Sequence, residues 1–391
     1  MSIIAQVRRL GREGIRNRLT VMRADFPNWL AAPGGRRLAL QPWRFAADIR
    51  ATDIEVAPER SPRPAPAVRI FEAGHEPRPA PALEIAEKSR HLYRMRNAIV
   101  LPRHIILDGE TQRVVPRGFI AERYFIHPAL HVRKGDVWAK RPVRREHTQR
   151  IDGPVLVVDS THTLYGHVLL EIVTRLYYLR YCPPDTRVLT SLDFTPTYRT
   201  LFEALGVPAD RIVRMEGPTF CDDAFFGDSL VDIFRFVSPG AWPIFRFLRR
   251  IGARSAVEPR ERIYVTRRGV GRRALLNEPD VERLFERYGF AIVRPETLAI
   301  EDQVKLFTHA RMVAGTRGSA LHNIVFSAPD TRCLVLTHRG LMLEADRLLM
   351  RRDDALAIAL GDPANGDDKY VADWNIDLDL VERALRTHFG L

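Results

Sequence analysis

From residue 151 onward the chain repeats one alternation: an apolar run of strand length, a segment with helical spacing, then another apolar run. PVLVVD (154–159) is apolar almost throughout, as a strand covered on both faces must be. Tyr165 to Tyr181 has helical periodicity, RVLTS (187–191) reads as a strand, and Pro196 to Leu205 reads as a helix. RIVRM (211–215) and a run within TFCDDAFFGD (219–228) read as further strands, residues 241–252 as helical, and ARSAVEPRE (253–261) as a linker. A second series follows: strand RIYVT (262–266), a basic Gly-containing loop, a helix opening at Asn277, strand FAIVRP (290–295), a helix from Ile300 to His309, strand RMVAG (311–315), a Gly-rich turn into a helix, and strand RCLVLT (332–337). Alternation of this kind specifies α/β architecture, and two blocks specify two parallel sheets. Such sheets hold ligands at the C-terminal ends of their strands, and two facing halves form a cleft.

The preceding residues read differently. Residues 91–150 carry short alternating runs, AIVLPRHIIL, TQRVV and GFIAERYFIHPALHV, split by turns such as Asp108-Gly109, which predicts a β-rich elaboration built from hairpins. Pro58, Pro62, Pro64, Pro66, Pro77, Pro79 and Pro81 predict an extended linker or an arm laid over a surface. MSIIAQVRRLGREGIRNRL sets Ile3, Ile4, Val7 and Leu10 against Arg8, Arg9, Arg12, Arg16 and Arg18, the pattern of a short basic amphipathic helix. Such a helix suits either an anionic membrane surface or packing on its own domain. The organisation expected is an N-terminal helix and Pro-rich arm over 1–90, a first α/β domain with its β-rich elaboration over 91–255, and a second α/β domain over 256–391.

Length and composition narrow the class. A chain of 391 residues, 46% hydrophobic and 28% charged, buries a large core without disulfides or a structural metal. Its 60 Lys and Arg against 48 Asp and Glu give a formal charge of +12, which favours an anionic partner. Much of the excess is Arg, which a GC-rich genome also produces. Cys182, Cys221 and Cys333 make no CxxC and are odd in number, so a disulfide framework and a zinc-thiolate site are not expected, and a reducing, cytoplasmic setting is. No apolar run has the ~20 residues of a membrane span, and the N-terminus lacks a signal-peptide apolar core.

Three motifs carry chemistry. GTRGSALHN (315–323) follows an apolar strand and opens a helix, whose free N–H groups suit a phosphate, with Arg317, Ser319, His322 and Asn323 as further donors. A tight βα turn needing glycine only for geometry fits the same run. YVTRRGVGRRALLNE (264–278) clusters Arg267, Arg268, Arg272 and Arg273 around Gly269 and Gly271 just after a strand, an arrangement that suits a pyrophosphate, or simply a solvated basic loop. Asn277 reads as its helix N-cap, with Glu278 in the first turn. In YGHVLLEIVTRL (165–176), His167, Glu171 and Arg175 fall at i, i+4 and i+8 on one face, beside the strand end Asp159-Ser160. That is a general base with an orienting carboxylate, or a capped helix with a surface ion pair. Asp377-Leu-Asp379 is better explained as a helix cap than as a metal site, and Asp362, Asn365, Asp367 and Asp368 as a polar turn.

The order YVTRR, RRALLNE, YGFAIVRPETLAIEDQVKLFTHARMVAG and GSALHNIVFSAPDTRCLVL, with GHVLLEIVTRL ahead of it, resembles the bacterial capsular-polysaccharide branch of glycosyltransferase family 61 over roughly residues 151–340. The resemblance implies an inverting transfer from a nucleotide sugar and a glycosyltransferase-B architecture: two Rossmann-like domains facing a cleft. The family commonly has Gly-x-His-Gly where this chain has Gly315-Thr-Arg317-Gly318. On this reading His167 is the base, oriented by Glu171, with Asp159 at a neighbouring strand end as the other candidate. Arg267, Arg268, Arg272 and the helix start at Gly318 stabilise the leaving diphosphate. Asn277, Glu278, Gln303, Gly315, Arg317, Ser319, Ala320, His322 and Asn323 complete the donor site. No metal or cofactor is called for. The partners implied are a UDP-sugar and a glycan or lipid-linked glycan acceptor, with peripheral contact at the inner face of the plasma membrane through the N-terminal helix. A non-catalytic binder of sugar nucleotides or anionic polysaccharide is the alternative. Nucleic acid is not expected, because no DNA-binding motif or interleaved aromatic platform accompanies the charge.

Overall fold

The computed structural model describes residues 51–391 apart from 59, 88, 111–113, 116–129, 134–135, 140–142, 144–147, 234, 340–343 and 365–371. The basic N-terminal helix, most of GFIAERYFIHPALHV, and the polar turn beyond Asp362 lie outside the described residues.

Two mixed sheets organise the chain. The first runs Ala51–Ala57, Arg90–Leu101, Thr219–Gly227, Gln149–Val157, Arg187–Thr190 and Ile212–Arg214, with Ile105–Asp108 also paired to Arg90–Leu101. From Thr219–Gly227 to Ile212–Arg214 the strands are parallel, and Arg90–Leu101 joins them antiparallel. The second runs Ala291–Val293, Arg262–Val265, Met312–Thr316, Arg332–His338, Leu356–Pro363, Val68–Glu72 and Arg78–Pro79, parallel as far as Val68–Glu72.

The uninterrupted apolar runs have the reason expected of them. Leu156 and Val158 point into one core while Val155 and Val157 point into another, so alternate side chains of one strand feed both faces. Ile263 and Val265 likewise oppose Tyr264. One continuous core runs from the first sheet through Val168, Ile172 and Leu176, then Phe245 and Leu248, Val304 and Phe307, and Phe326, to the second sheet. The helices therefore lie between the sheets and belong to both. The outer face of the second sheet is covered by Glu278–Arg287 and Leu378–Phe389. Among the described residues no helix is long and apolar enough to cross a membrane.

The Pro-rich stretch departs from expectation. It is neither a linker nor an arm laid over a surface, because Val68–Glu72 is a parallel strand of the second sheet, paired to Leu356–Pro363. Val68, Ile70 and Phe71 are buried there, and Pro79, which has no N–H to give, sits in the short edge strand beyond. Buried Arg347 clamps the stretch in place. It donates to the carbonyls of Pro66 and Pro81 at 2.6 Å each and of Ala65 at 3.3 Å. Arginine suits carbonyls that prolines have left without a ladder partner, because its fork of donors reaches several at once. Replacing Arg347 by Ala should lower unfolding stability by about 3 kcal/mol, since bonds from a charged group contribute roughly 1.5–3 kcal/mol each and do not add fully. Urea denaturation should show a lower midpoint at unchanged slope; an unmoved midpoint would make the clamp incidental.

Candidate active site

The site begins where Gln149–Val157 leaves the first sheet. Asp159 is fully buried, and its carboxylate accepts from the backbone N–H of Arg103 at 2.8 Å and of Ser160 at 2.9 Å. Burial pushes its pKa up, and those bonds together with Ser191 oppose the rise. Arg103 and His104 both have positive φ, 69° and 65°, in the turn between Arg90–Leu101 and Ile105–Asp108. Asp159 thus holds a turn that non-glycine residues adopt reluctantly. Its oxygens are held by the backbone N–H groups of Arg103 and Ser160 and by Ser191.

Ser160, the next residue, turns the other way and donates from Oγ to Glu171 Oε2 at 2.8 Å. The same oxygen lies 3.0 Å from His167 Nδ1. Glu171 is fully buried, whereas the His167 side chain keeps 12% of its surface exposed. The sequence assigned these two residues to one α-helical face, and the structure brings them together by a different backbone. Only Tyr165–His167 is α-helical; Val168–Ile172 is a π turn, and Val173–Tyr181 is a 3₁₀-helix. π turns are uncommon and concentrate at functional sites. Arg175 is consequently not in line with the pair. It is buried and donates to the Gly227 carbonyl instead. The His162 ring stands 4.7 Å from that of His167, centroid to centroid.

The second half of the site faces this loop from the strand ends of the other sheet. His322 lies in the 3₁₀-helix Ser319–Phe326 and packs directly on Gly166: a Cβ at Gly166 would fall 2.2 Å from His322 Nδ1. Burial, then the proximity of His167 and Arg317, lowers the pKa of His322 to about 3, so this imidazole is neutral. Beside it Tyr165 donates from its hydroxyl to Asn323 Oδ1, Asn323 Nδ2 donates to Gln303 Oε1 at 2.8 Å, and Gln303 Nε2 donates to the carbonyls of Pro295 at 2.8 Å and Leu298 at 3.1 Å. Gln303 and Asn323, assigned to the donor pocket, are therefore spent on each other and on joining the halves.

The basic loop is anchored from beneath. Glu278 is buried, and its Oε1 accepts from the Arg267 backbone N–H at 2.9 Å, from the Tyr264 hydroxyl at 3.3 Å and from Thr316 Oγ1 at 3.4 Å. Burial raises its pKa, and bonds from the Arg267 N–H and the Thr266 and Tyr264 hydroxyls oppose the rise. Gly269, with φ of 93°, closes the turn in which Val270 N donates to the Arg267 carbonyl. The Arg267 guanidinium lies over Gly318, where a Cβ would fall 2.0 Å from Nη1, and Arg267 Nη2 donates to the Arg272 carbonyl at 3.2 Å. Arg268 is half exposed and pairs with Glu282 at 3.3 Å. Arg272 is exposed. Gly315 is required by strand approach, since a Cβ would meet the Val265 carbonyl oxygen at 2.5 Å. Asn277 stands at the N-cap position without capping: its amide donates to the Ile376 carbonyl at 2.7 Å and accepts from the Ile376 N–H at 3.2 Å.

Arg317 is the clearest departure. Its side chain is 10% exposed and its Nε lies 3.0 Å from Asp346 Oδ2, a carboxylate only 6% exposed. It is a buried ion pair with the short helix Glu344–Leu348 rather than an open phosphate ligand. Ser319 and Ala320 are half-buried at the start of the 3₁₀-helix, beside Gly318 and Arg267. Among the described residues no group of three or more His, Cys, Asp or Glu side chains is placed to hold a metal ion. Asp377 caps Leu378–Phe389 by accepting from Asp379 N at 2.9 Å, as its spacing suggested.

The glycosyltransferase 61 family model matches residues 165–334, from Tyr165 to Leu334. The matched segment is similar to glycosyltransferase 61 domains, and the chain is a glycosyltransferase enzyme. No curated protein matches it. The matched span begins at the π-turn helix and includes the basic loop and the Ser319–Phe326 helix, the elements that meet at His167, His322 and Arg267. A glycosyltransferase takes a sugar donor and a glycan acceptor. Sequence reasoning missed Ser160, His162, Tyr165, Gly166 and Asp346. Only Ser160 and Gly166 carried a local signal, as small residues beside the His-x-x-x-Glu spacing.

The buried histidines set a pH dependence. The pKa of His322 falls from 6.5 to about 3 and that of His388 to about 4, both chiefly through burial. Between those values and 6.5 the unfolded chain binds protons that the folded enzyme does not, so stability falls as pH is lowered through that window. The slope is about 1.4 kcal/mol per pH unit for each histidine. Raised carboxylates at Asp159, Glu278 and Asp346 act with the opposite sign, so a difference curve isolates the histidine. The stability gap between H322N and the parent should shift in favour of the variant as pH falls from 6.5 to 4. A gap independent of pH would mean that folding leaves the pKa of His322 where it stands in the unfolded chain.

Proposed function

We propose that this glycosyltransferase inverts the anomeric centre of a nucleotide-activated sugar while moving it to a growing cell-surface glycan, with the capsular-polysaccharide branch of family 61 as its nearest functional class. The observation that carries the reading is the Ser160–Glu171–His167 relay at the end of one parallel sheet, facing the Arg267–Gly318 loop at the end of the other. The relay commits His167 Nδ1 to a carboxylate and leaves Nε2 to face the acceptor, as a base-and-orienter pair requires.

In the proposed step the acceptor hydroxyl attacks the anomeric carbon in line as the bond to the β-phosphate oxygen breaks. His167 Nε2 takes the hydroxyl proton, and Glu171 stabilises the imidazolium that forms. The departing diphosphate gains charge, which Arg267, Arg268 and Arg272 take up with the N–H groups at Ser319 and Ala320. Two Rossmann-like halves in the glycosyltransferase-B manner agree with the two parallel strand sets, and we assign a UDP-sugar as donor and a glycan or lipid-linked glycan as acceptor. Contact with the inner face of the plasma membrane belongs to the same reading, as does transfer without a metal.

The experiment is a thermal-shift panel of UDP-, GDP-, CMP- and dTDP-sugars with and without Mn²⁺, followed by transfer assays with the donor that shifts. A ligand at a hundred times its dissociation constant adds about 2.7 kcal/mol. H167A should keep the donor-induced shift and lose at least about a hundredfold in turnover, the contribution of a positioned base. Normal turnover in H167A would remove His167 from the chemistry; no shift with any donor would favour a non-catalytic binder.

A further inference from the structure

The Ser319–Phe326 helix has a second end. Its eight residues span about 16 Å at the 3₁₀ rise of ~2.0 Å per residue, which separates that end from Gly318 and the Arg267 loop. There the carbonyl of Ser327, the residue closing the helix, accepts from both Arg249 and Arg351. One guanidinium suffices to cap a helix carbonyl. Two are present, and Arg246, three residues before Arg249 on the same helical run Ala241–Arg254 and so on the same face, adds a third positive charge that acts on both.

Three observations set this cluster apart from an ordinary surface. Among the described residues none of Arg246, Arg249 and Arg351 forms an ion pair; Asp330 acts on Arg351 only at a distance. Arg249 Nε is buried and has no hydrogen-bond partner among the described residues. Arg351 lies over the Trp242 ring at 4.9 Å, and Arg250 lies over Phe247, itself 43% exposed, at 4.6 Å. Stacking fixes a guanidinium plane while leaving its edge donors directed outward. Burial and mutual repulsion lower the pKa of both Arg249 and Arg351, that of Arg351 to about 10. Like charges gathered without a carboxylate are unfavourable, and an anion between them relieves the repulsion and completes the unused donors.

We infer that Arg246, Arg249 and Arg351 form a second anion site, separate from the donor site, for a phosphate or pyrophosphate group, with Trp242 and Phe247 flanking it. A phosphate monoester or diphosphate in solution and the headgroup of an anionic lipid both supply that chemistry. The flanking aromatics would lie along the body of either ligand.

The test uses the full chain. Inorganic pyrophosphate is titrated by calorimetry, at matched ionic strength, into R267A, which weakens the proposed donor site, and into R267A carrying R246E. Arg246 is exposed and makes no hydrogen bond among the described residues, so R246E should keep the fold. In parallel, the parent, R246E and R351Q are sedimented with vesicles of phosphatidylcholine alone or mixed with phosphatidylglycerol. The site predicts saturable pyrophosphate binding in R267A that weakens by about tenfold or more on adding R246E, as loss of a charge-assisted contact does. Vesicle binding that R246E and R351Q also lose identifies a lipid headgroup; pyrophosphate binding without a vesicle difference identifies a soluble phosphoryl compound. R246E should retain the donor-induced thermal shift of the parent, which keeps this result distinct from the donor reading. The proposal is overturned if R246E changes neither pyrophosphate nor vesicle binding.

Discussion

A carboxylate with no exposed surface has to be satisfied by the protein, and Glu171 is such a group. Stripping the water from it costs several kcal/mol unless donors replace what is lost. Ser160 and His167 supply the replacements from opposite directions, one from a strand end and one from the preceding helical turn. Both reach the same oxygen, Oε2, so the strand end after Val157 and the helical segment at Val168–Ile172 are tied together through one carboxyl group. Glu171 stands four residues after His167, a spacing that also brings side chains together on a regular helix.

The same constraint reaches the other half of the enzyme. Gly166 stands one residue before His167, and its missing side chain is what allows His322 to lie against the backbone. Tyr165, one residue earlier, reaches Asn323, whose amide is held by Gln303. Three consecutive residues thus fix the halves against each other and orient the base. Arg317 belongs to this arrangement from the far side. Paired with Asp346 in a buried setting, it adds to the burial that lowers the pKa of His322. Asp346 adjoins Arg347, so the short helix Glu344–Leu348 links the chemistry to the clamp on the Pro-rich strand.

What could be read from the sequence follows from the range of each interaction. Apolar runs at strand length and helical spacing between them are local, and the alternation they announce is the alternation found. His167 and Glu171 are four residues apart, so their pairing was legible even though the backbone that produces it was not. Val68–Glu72 was hidden because prolines on both sides dominate its composition, while its pairing depends on a strand nearly three hundred residues away. Asn277 had the identity and position of a cap, yet the Ile376 backbone competes for its amide and wins. Arg317 and Glu278 were legible as residues and illegible in direction. Which way a charged side chain turns after a strand is set by Asp346 in one case and the Arg267 backbone in the other, and neither is a neighbour in sequence.

The central claim is that buried Glu171 holds His167 with its proton on Nδ1 and Nε2 free to accept another. The direct measurement is the tautomer of His167, read from long-range ¹⁵N–¹H correlations of histidine-labelled enzyme at slightly alkaline pH and assigned with H167Q. The account predicts a neutral ring carrying its proton on Nδ1 in the parent, with that preference lost in E171Q. A ring in the parent protonated on Nε2 instead would contradict it, because the nitrogen facing the acceptor would then have no lone pair to give.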